Sequence, residues 1–227
     1  MELIEILKVI VLGIVEGITE WLPISSTGHM LLVDEFIHMN VSDSFKDMFF
    51  VVIQLGAILA VVMLFWDKMW PFQTKDKSKP VIRKDVFSMW FKVVVACIPG
   101  AIVTLLFDDY IEAHLHTPTV IALALVVYGV AFIVIENWNK NRTPKVLTLE
   151  DISYKTAFII GLFQVLSIIP GTSRSGSTII GALTIGVSRV AAAEFTFFLA
   201  VPVMIGLSFI KILKFGFSFT SVELMTL

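Results

Sequence analysis

Residues 170–178 read Pro170-Gly171-Thr172-Ser173-Arg174-Ser175-Gly176-Ser177-Thr178, and this polar stretch interrupts an otherwise apolar part of the chain. Apolar runs cover residues 157–169 before it and residues 179–187 after it. Pro170 and Gly171 are typical of a helix break. An arginine at membrane depth costs about 2.5–3.5 kcal/mol on insertion scales and is by default part of a functional site. The alternative is a Ser/Gly-rich break whose arginine snorkels to the membrane surface.

The residues around Arg174 favour phosphate binding. Gly176 lets the backbone approach a ligand closely, and the helix that resumes there directs its N–H groups into the break. From Gly171 the spacing G-x-x-x-x-G-S-T matches a phosphate-binding loop, with serine in place of the usual lysine. The substrate contacts predicted in this break are those of Thr172, Ser173, Ser175, Gly176 and Thr178.

The composition predicts an integral membrane protein. Of the 227 residues, 57% are hydrophobic, whereas soluble domains contain about 45–50% apolar residues. The net charge of −2 gives no indication of nucleic-acid binding, and we expect no nucleic-acid partner. The single cysteine, Cys97, lies in an apolar run, which argues against a disulfide framework and favours a small buried side chain.

Two helix–break–helix pairs and four longer segments account for the apolar sequence. Residues 3–22 and 27–37 are separated by Pro23-Ile24-Ser25-Ser26. The second of these segments is too short to cross a hydrocarbon core of about 30 Å, which takes about 20 helical residues. We therefore expect this pair to be re-entrant, and the same holds for the pair over residues 154–187. The predicted full-length spans are residues 49–66, 87–107, 120–135 and 191–213.

The two pairs form an internal repeat. Gly13-Ile14-Val15-Glu16 precedes the first break, and Gly161-Leu162-Phe163-Gln164 precedes the second. Three spans lie between the copies, so we expect inverted copies, a plan that places a site at the repeat interface in transporters. The prediction is one all-α polytopic membrane domain over residues 1–227. Its first repeat covers residues 1–136, and residues 152–227 form a partial second repeat that looks truncated.

The basic residues predict the orientation in the membrane. Loops 67–85 and 137–151 contain six and three Lys or Arg residues, whereas loop 108–118 contains none. Because cytoplasmic loops carry an excess of Lys and Arg, the two basic loops are expected in the cytoplasm.

The first break combines carboxylates, hydroxyls and an imidazole. Glu16 and Glu20 share a helix face one turn apart, and Ser25-Ser26-Thr27-Gly28-His29 follows Pro23. Mg²⁺ takes one or two carboxylates plus phosphate oxygens, so Glu16 and Glu20 are predicted metal ligands for Mg²⁺ or Ca²⁺. His29 can act as a general acid or base, and either Ser26 or a water can attack phosphorus.

Structural alternatives remain for these residues, and further polar residues are candidates for support. The two glutamates could line a solvated cavity, His29 could cap at the interface, and residues 25–27 could simply cap the short helix. The predicted supporting side chains, all in apolar surroundings, are those of Gln54, Gln164 and Glu194.

The stretch from Glu16 to His29 closely resembles the first signature of the bacterial undecaprenyl-diphosphate phosphatase family, the bacitracin-resistance type. Residues 170–178 resemble its second signature, and the similarity covers essentially the whole chain. The resemblance implies divalent-metal-dependent hydrolysis of undecaprenyl diphosphate to undecaprenyl phosphate at the outer face of the bacterial plasma membrane. This reaction recycles the lipid carrier for cell-wall synthesis. Family members normally continue with two more spans beyond residues 191–213.

The resemblance also assigns roles. It implies catalytic roles for Glu20, Ser26 as nucleophile, His29 as base and Arg174 as phosphate binder, with Ser25, Thr27 and Gly28 as further substrate contacts. The expected partners are the polyprenyl diphosphate lipid and the membrane, and a homodimer is an alternative to a monomer. From another class of protein, a transporter or flippase of the same lipid is the alternative that the inverted repeat alone would favour.

Overall fold

The computed structural model describes residues 2–73, 80–115 and 117–226, and helices dominate these ranges. Only two isolated β-bridges occur there, Phe72 with Ile82 and Val146 with Val187. The helices are α1 Glu2–Thr19, α2 Ser26–Ile37, α3 Asp43–Val52, α4 Gln54–Leu64, α5 Trp66–Met69, α6 Lys84–Leu115, α7 Pro118–Asn139, α8 Tyr154–Gln164, α9 Arg174–Thr184, α10 Arg189–Phe215 and α11 Ser221–Thr226. The all-α prediction is confirmed.

Four helical segments are long and apolar enough to cross a membrane. They are Asp43–Leu64, in which α3 and α4 follow one another, Lys84–Phe107, Pro118–Asn139 and Arg189–Phe215. Each overlaps one predicted span, which supports a polytopic membrane protein. Only 6% of the most apolar stretch of α7 is buried, and the exposed residues of this helix include Val126 and Ile133. Such a continuous apolar surface is suited to lipid contact.

One predicted boundary is wrong. The acidic stretch 108–118 was expected to be a loop, but α6 continues to Leu115 and leaves only a short connection before α7 begins at Pro118. Proline is well suited to the first helical position and poorly suited to continue a helix, so Pro118 sets the boundary better than the acidic residues do. Of the predicted basic loop 67–85, Lys75, Lys77 and Lys79 lie outside the described residues.

The two predicted helix breaks are present. Residues 20–25 separate α1 from α2, while a 3₁₀ turn, Val165–Ile168, and residues 169–173 separate α8 from α9. With 12 and 11 residues, α2 and α9 are both too short to span a membrane. The pairs therefore have the form expected of the repeat. The inverted relation of the copies stays a prediction.

Helices α6, α8, α9 and α10 enclose one apolar core, and this core fixes the position of the second break. Its members with no more than 1% exposure include Val93, Ala96, Ala157, Ile160, Ala182, Phe195, Phe198 and Leu199. A second cluster joins α1, α2 and α3 through Leu12, Met30 and Phe45. Each break is thus followed by a short helix that is packed against longer ones, so the side chains at its start are held in place.

Candidate active site

An ion pair joins the two breaks. Arg174, the first residue of α9, donates from Nη2 to Oε1 of Glu20, just after α1, over 2.9 Å. The two residues are 154 positions apart in sequence, and their side chains are 10% and 11% exposed. Ionisable side chains in membrane proteins usually face the protein interior and pair with one another. Arg174 and Glu20 follow this rule.

Glu20 also holds the hydroxyl of Ser26. Ser26 Oγ donates to Glu20 Oε2 over 2.5 Å, so the two carboxylate oxygens accept from different sides. Ser26 begins α2, and its neighbour Ser25 caps that helix by accepting the N–H of Gly28. Ser25 has a φ of 67°, a left-handed conformation that is uncommon for a residue other than glycine. The carboxylate, the hydroxyl and the guanidinium thus form one connected group.

The described residues contain five buried side-chain atoms without a hydrogen-bond partner, and four of them belong to the predicted site. They are Glu16 Oε1, Thr172 Oγ1, Arg174 Nε and Arg174 Nη1, and the fifth is Gln164 Oε1. Buried polar groups nearly always have a partner, so a cluster of unpaired ones calls for a ligand or water. Three of these atoms belong to N–H or O–H groups on the second break. Such unpaired donors can bind an anion.

A small cavity lies beside the ion pair. Its volume is about 10 Å³, and Glu20, Trp21 and Arg174 contribute to its lining, together with apolar residues of α4 and α10. A cavity of about this size holds about one water molecule. A diphosphate group therefore needs the side chains around the ion pair to move apart.

Comparisons with known proteins identify the family of this chain. The profile of the family described as "Bacitracin resistance protein BacA" matches residues 9–226. The chain belongs to the BacA family. A relative from Enterococcus faecalis, named "Undecaprenyl-diphosphatase", is 74% identical over the whole chain and over 82% of its own length. Relatives of the same name from Lachnoclostridium phytofermentans and Desulfitobacterium hafniense are 62% and 59% identical, again over the whole chain and over 82% and 81% of their lengths.

In this BacA-family chain, the Ser26 hydroxyl is bonded to Glu20 and not to His29, the base that the resemblance implied. Nδ1 of His29 lies 2.9 Å from the carbonyl oxygen of Ser25, to which an Nδ1–H donates. That tautomer leaves Nε2 as an acceptor. No sequence pattern indicates the contact with Glu20, because it depends on the path that residues 20–25 take between α1 and α2.

Most hydroxyls of the second break are used by α9 itself. Ser173 caps the helix by accepting the N–H of Gly176, and Ser175 Oγ lies 3.1 Å from Ser173 Oγ. Thr178, fully buried, donates to backbone carbonyls one turn back and contacts Thr196 Oγ1 at 2.9 Å. Of the hydroxyls predicted to bind substrate here, only that of Thr172 has no partner.

The space beside Gly176 is filled by the protein, whereas the sequence suggested an approach by a ligand. A Cβ at this position would lie 2.9 Å from Ser173 Cβ, 3.0 Å from a ring carbon of Phe132 and 3.2 Å from the carbonyl oxygen of Pro23. The contact with Pro23 brings the second break against the first. The absence of a side chain at Gly176 therefore allows the two breaks to approach each other.

The two predicted metal ligands, Glu16 and Glu20, differ in whether they have an oxygen free to bind a cation. Glu16 is 2% exposed and its Oε1 has no partner, so a cation would compensate a charge that is otherwise costly to bury. Both oxygens of Glu20 already accept hydrogen bonds. No group of three or more His, Cys, Asp or Glu side chains that could hold a metal occurs among the described residues. The donor set suits an ion that takes one or two carboxylates and completes its shell with substrate and water, as Mg²⁺ does.

Two of the three predicted supporting residues, Gln54 and Glu194, have different surroundings. Gln54 donates to Thr27 Oγ1 over 3.3 Å and to the Phe50 carbonyl over 2.8 Å, so it fixes a hydroxyl of the first break. Glu194 instead pairs with Lys68 at 2.5 Å, in contact with solvent, and the expectation that it is a buried support is wrong.

Proposed function

We propose that this chain hydrolyses undecaprenyl diphosphate to undecaprenyl phosphate and phosphate, and thereby returns the lipid carrier to cell-wall synthesis. Membership of the BacA family and the name shared by its relatives support this function. The observation that carries it is the connected group of Ser26, Glu20 and Arg174, which joins a hydroxyl nucleophile, a proton acceptor and a phosphate-binding cation across the two breaks.

In this proposal the terminal phosphate binds at Arg174. Nε and Nη1 of Arg174 have no partner, and the planar guanidinium can donate to two phosphate oxygens at once. The Thr172 hydroxyl is a third unpaired donor on the same break. The phosphate oxygens therefore accept hydrogen bonds from donors that otherwise have no partner. Binding of the phosphate also enlarges the small cavity beside the ion pair.

Ser26 is the proposed nucleophile, and Glu20 is the proposed base. As the bond from Ser26 Oγ to the terminal phosphorus forms, its proton passes to Glu20 Oε2, and the bond from that phosphorus to the bridging oxygen breaks. Undecaprenyl phosphate leaves with the electron pair of that bond. Water then attacks the phosphorus of the phosphoserine while the bond from that phosphorus to Ser26 Oγ breaks. Ser26 Oγ takes back the proton held by Glu20 Oε2, phosphate leaves, and Nε2 of His29 is the acceptor available for the proton of the attacking water. Direct attack by water, oriented by Ser26, is the alternative.

The first break and a divalent cation also contribute to binding of the diphosphate. Ser25, Thr27 and Gly28 surround Ser26 at the start of α2 and are proposed to lie along the diphosphate. Glu16, with Glu20 as a shared ligand, would hold Mg²⁺ or Ca²⁺, which supplies positive charge to the diphosphate oxygens. The site is proposed to face the outer side of the plasma membrane, with the basic loops inside. A homodimer remains the alternative to a monomer.

Phosphate release by purified protein in detergent tests the function. With undecaprenyl diphosphate and a divalent cation, we expect release of one phosphate per lipid, and about 10²–10⁴-fold slower release by Glu20→Gln, which cannot accept the proton. A lipid transporter would release none, since moving the lipid breaks no phosphorus–oxygen bond.

A double-mutant cycle tests the residue roles. If Ser26 and Glu20 act as a unit, Ser26→Ala combined with Glu20→Gln should be about as slow as the slower single variant. If the rate losses of the two single variants multiplied in the double variant, Ser26 and Glu20 would act independently. That result would point to direct attack by water. Glu194→Gln, which changes a carboxylate outside the group, is the matched control and should keep full activity.

A further inference from the structure

A second cavity, of about 180 Å³, lies at the opposite end of α9 from Arg174. The end of α7, the loop after it, the end of α9 and the start of α10 enclose it. Arg174 and Thr184 lie at the two ends of the 11-residue helix α9, so the cavity is about 15 Å from the candidate active site along the helix. Its polar lining residues are Asn139, Arg142, Thr143, Lys145, Thr184 and Arg189.

The cavity contains an excess of positive charge. Of its three cationic side chains, Arg189 is neutralised by Glu136, which accepts from its Nε and Nη2. Arg142 and Lys145 have no carboxylate partner among the described residues. Two unneutralised cations beside threonine hydroxyls favour an anion as the ligand.

Backbone contacts hold the loop in place, and a ring contact orients Arg142. The N–H of Lys145 donates to the carbonyl of Gly186 over 2.7 Å, and the N–H of Ser188 donates to that of Val146 over 2.8 Å. The guanidinium carbon of Arg142 lies 3.9 Å from the ring centroid of Trp138, so the side chain is oriented by stacking while its N–H groups remain at the ring's edges. The loop is therefore fixed to the turn between α9 and α10.

The cavity lies at the ends of two candidate membrane spans, where lipid headgroups are expected. It lies where α7 ends and α10 begins, and both are candidate membrane spans. Trp138 in the last turn of α7 is 49% exposed, and tryptophan is enriched at the boundary between hydrocarbon and water. Basic pockets between spanning helices are known to bind anionic headgroups.

We propose that this cavity binds the phosphate of an anionic membrane lipid. Arg142 supplies a fork of donors and Lys145 a point charge, while Thr143 and Thr184 offer hydroxyls to the remaining oxygens. The lipid's tails extend along the exposed apolar surface of α7. This site is separate from the ion pair of Glu20 and Arg174, and hydrolysis does not use it.

Binding of phosphatidylglycerol to the detergent-purified chain tests the proposal. Its affinity is measured by native mass spectrometry, and the melting temperature with and without the lipid is a second readout. Arg142→Gln combined with Lys145→Gln should weaken binding at least tenfold. The matched control removes two exposed lysines outside the cavity, by Lys140→Gln with Lys155→Gln, and should change the affinity less than threefold. Phosphatidylcholine, which is zwitterionic, should bind weakly to all forms.

Three results would overturn the proposal. Equal losses in the cavity and control variants would mean that surface charge alone attracts the lipid. Loss in Arg174→Lys but not in the cavity variant would place the lipid phosphate in the candidate active site. Inorganic phosphate that displaces the lipid at equal concentration would identify a soluble anion as the ligand. Should the double variant not fold, Lys145→Gln alone, which changes an exposed side chain, is expected to weaken binding at least threefold.

Discussion

The first break, residues 20–25, and the second, residues 165–173, both contain a proline and both restart a helix at a serine cap, yet their polar atoms are used differently. In the first, the cap Ser25 is left-handed, and Ser26 and Glu20 are bonded to one another. In the second, the cap Ser173 has ordinary extended geometry, and Arg174 keeps two unpaired donors. In the proposed mechanism, the first break thus holds the reacting groups and the second binds the phosphate.

A large effect that follows from this division is expected at Arg174. Arg174→Lys keeps the charge but loses the fork, so kcat/KM for phosphate release should fall about 10²–10³-fold while the melting temperature changes little. Arg174→Ala should be slower still and less stable, because it leaves the buried Glu20 carboxylate without its cation.

The control for Arg174→Lys is Arg83→Lys, since the half-buried Arg83 pairs with the exposed Asp85 away from both breaks. It should release phosphate at the wild-type rate. Near-normal turnover by Arg174→Lys, together with misfolding of Arg174→Ala, would show that the arginine is only structural, and the second break would then not be the phosphate site.

A smaller effect should separate the two glutamates of the first break. Glu16 has an unpaired oxygen, so Glu16→Gln should raise the metal concentration for half-maximal activity about tenfold and leave the rate at saturating metal largely intact. Glu20→Gln should stay slow at every metal concentration, because proton acceptance is lost. An unchanged metal titration in Glu16→Gln would remove this residue from the metal site.

The sequence predicted the parts of this arrangement that depend on hydrophobicity and on the cost of buried charge. Apolar segments of sufficient length locate the four spans, and an apolar environment requires Glu20 and Arg174 to find partners. The partner of Ser26 was not predictable in the same way. It depends on the path of residues 20–25, including the left-handed Ser25, and no periodicity encodes that path.

The sequence patterns also did not predict the surroundings of some polar residues near helix ends. Glu194 lies in an apolar run and was expected inside, but one long lysine side chain from α5 reaches it. The continuation of α6 to Leu115 was missed because acidic residues suggest a loop while being compatible with a helix. The fit of Gly176 against Pro23 depends on how two distant segments dock, which only the folded chain reveals.

The smallest expected effect concerns that docking and is measured on stability. Gly176→Ala inserts a Cβ 2.9 Å from Ser173 Cβ and 3.2 Å from the Pro23 oxygen, so the two breaks must separate slightly. Overpacking of this kind costs about 1–3 kcal/mol, and we expect a lower melting temperature in detergent together with a longer distance between Glu20 and Arg174.

Gly206→Ala is the matched control, because its added Cβ meets nothing within 4 Å in the middle of α10. Alanine is favoured over glycine inside a helix by about 0.5–1 kcal/mol, so this variant should melt at the same or a higher temperature. If both variants melted alike and released phosphate alike, the close approach at Gly176 would not be what holds the two breaks together. Their relative position would then depend on the ion pair alone, and the melting temperature of Gly176→Ala would change only when Arg174 is replaced as well.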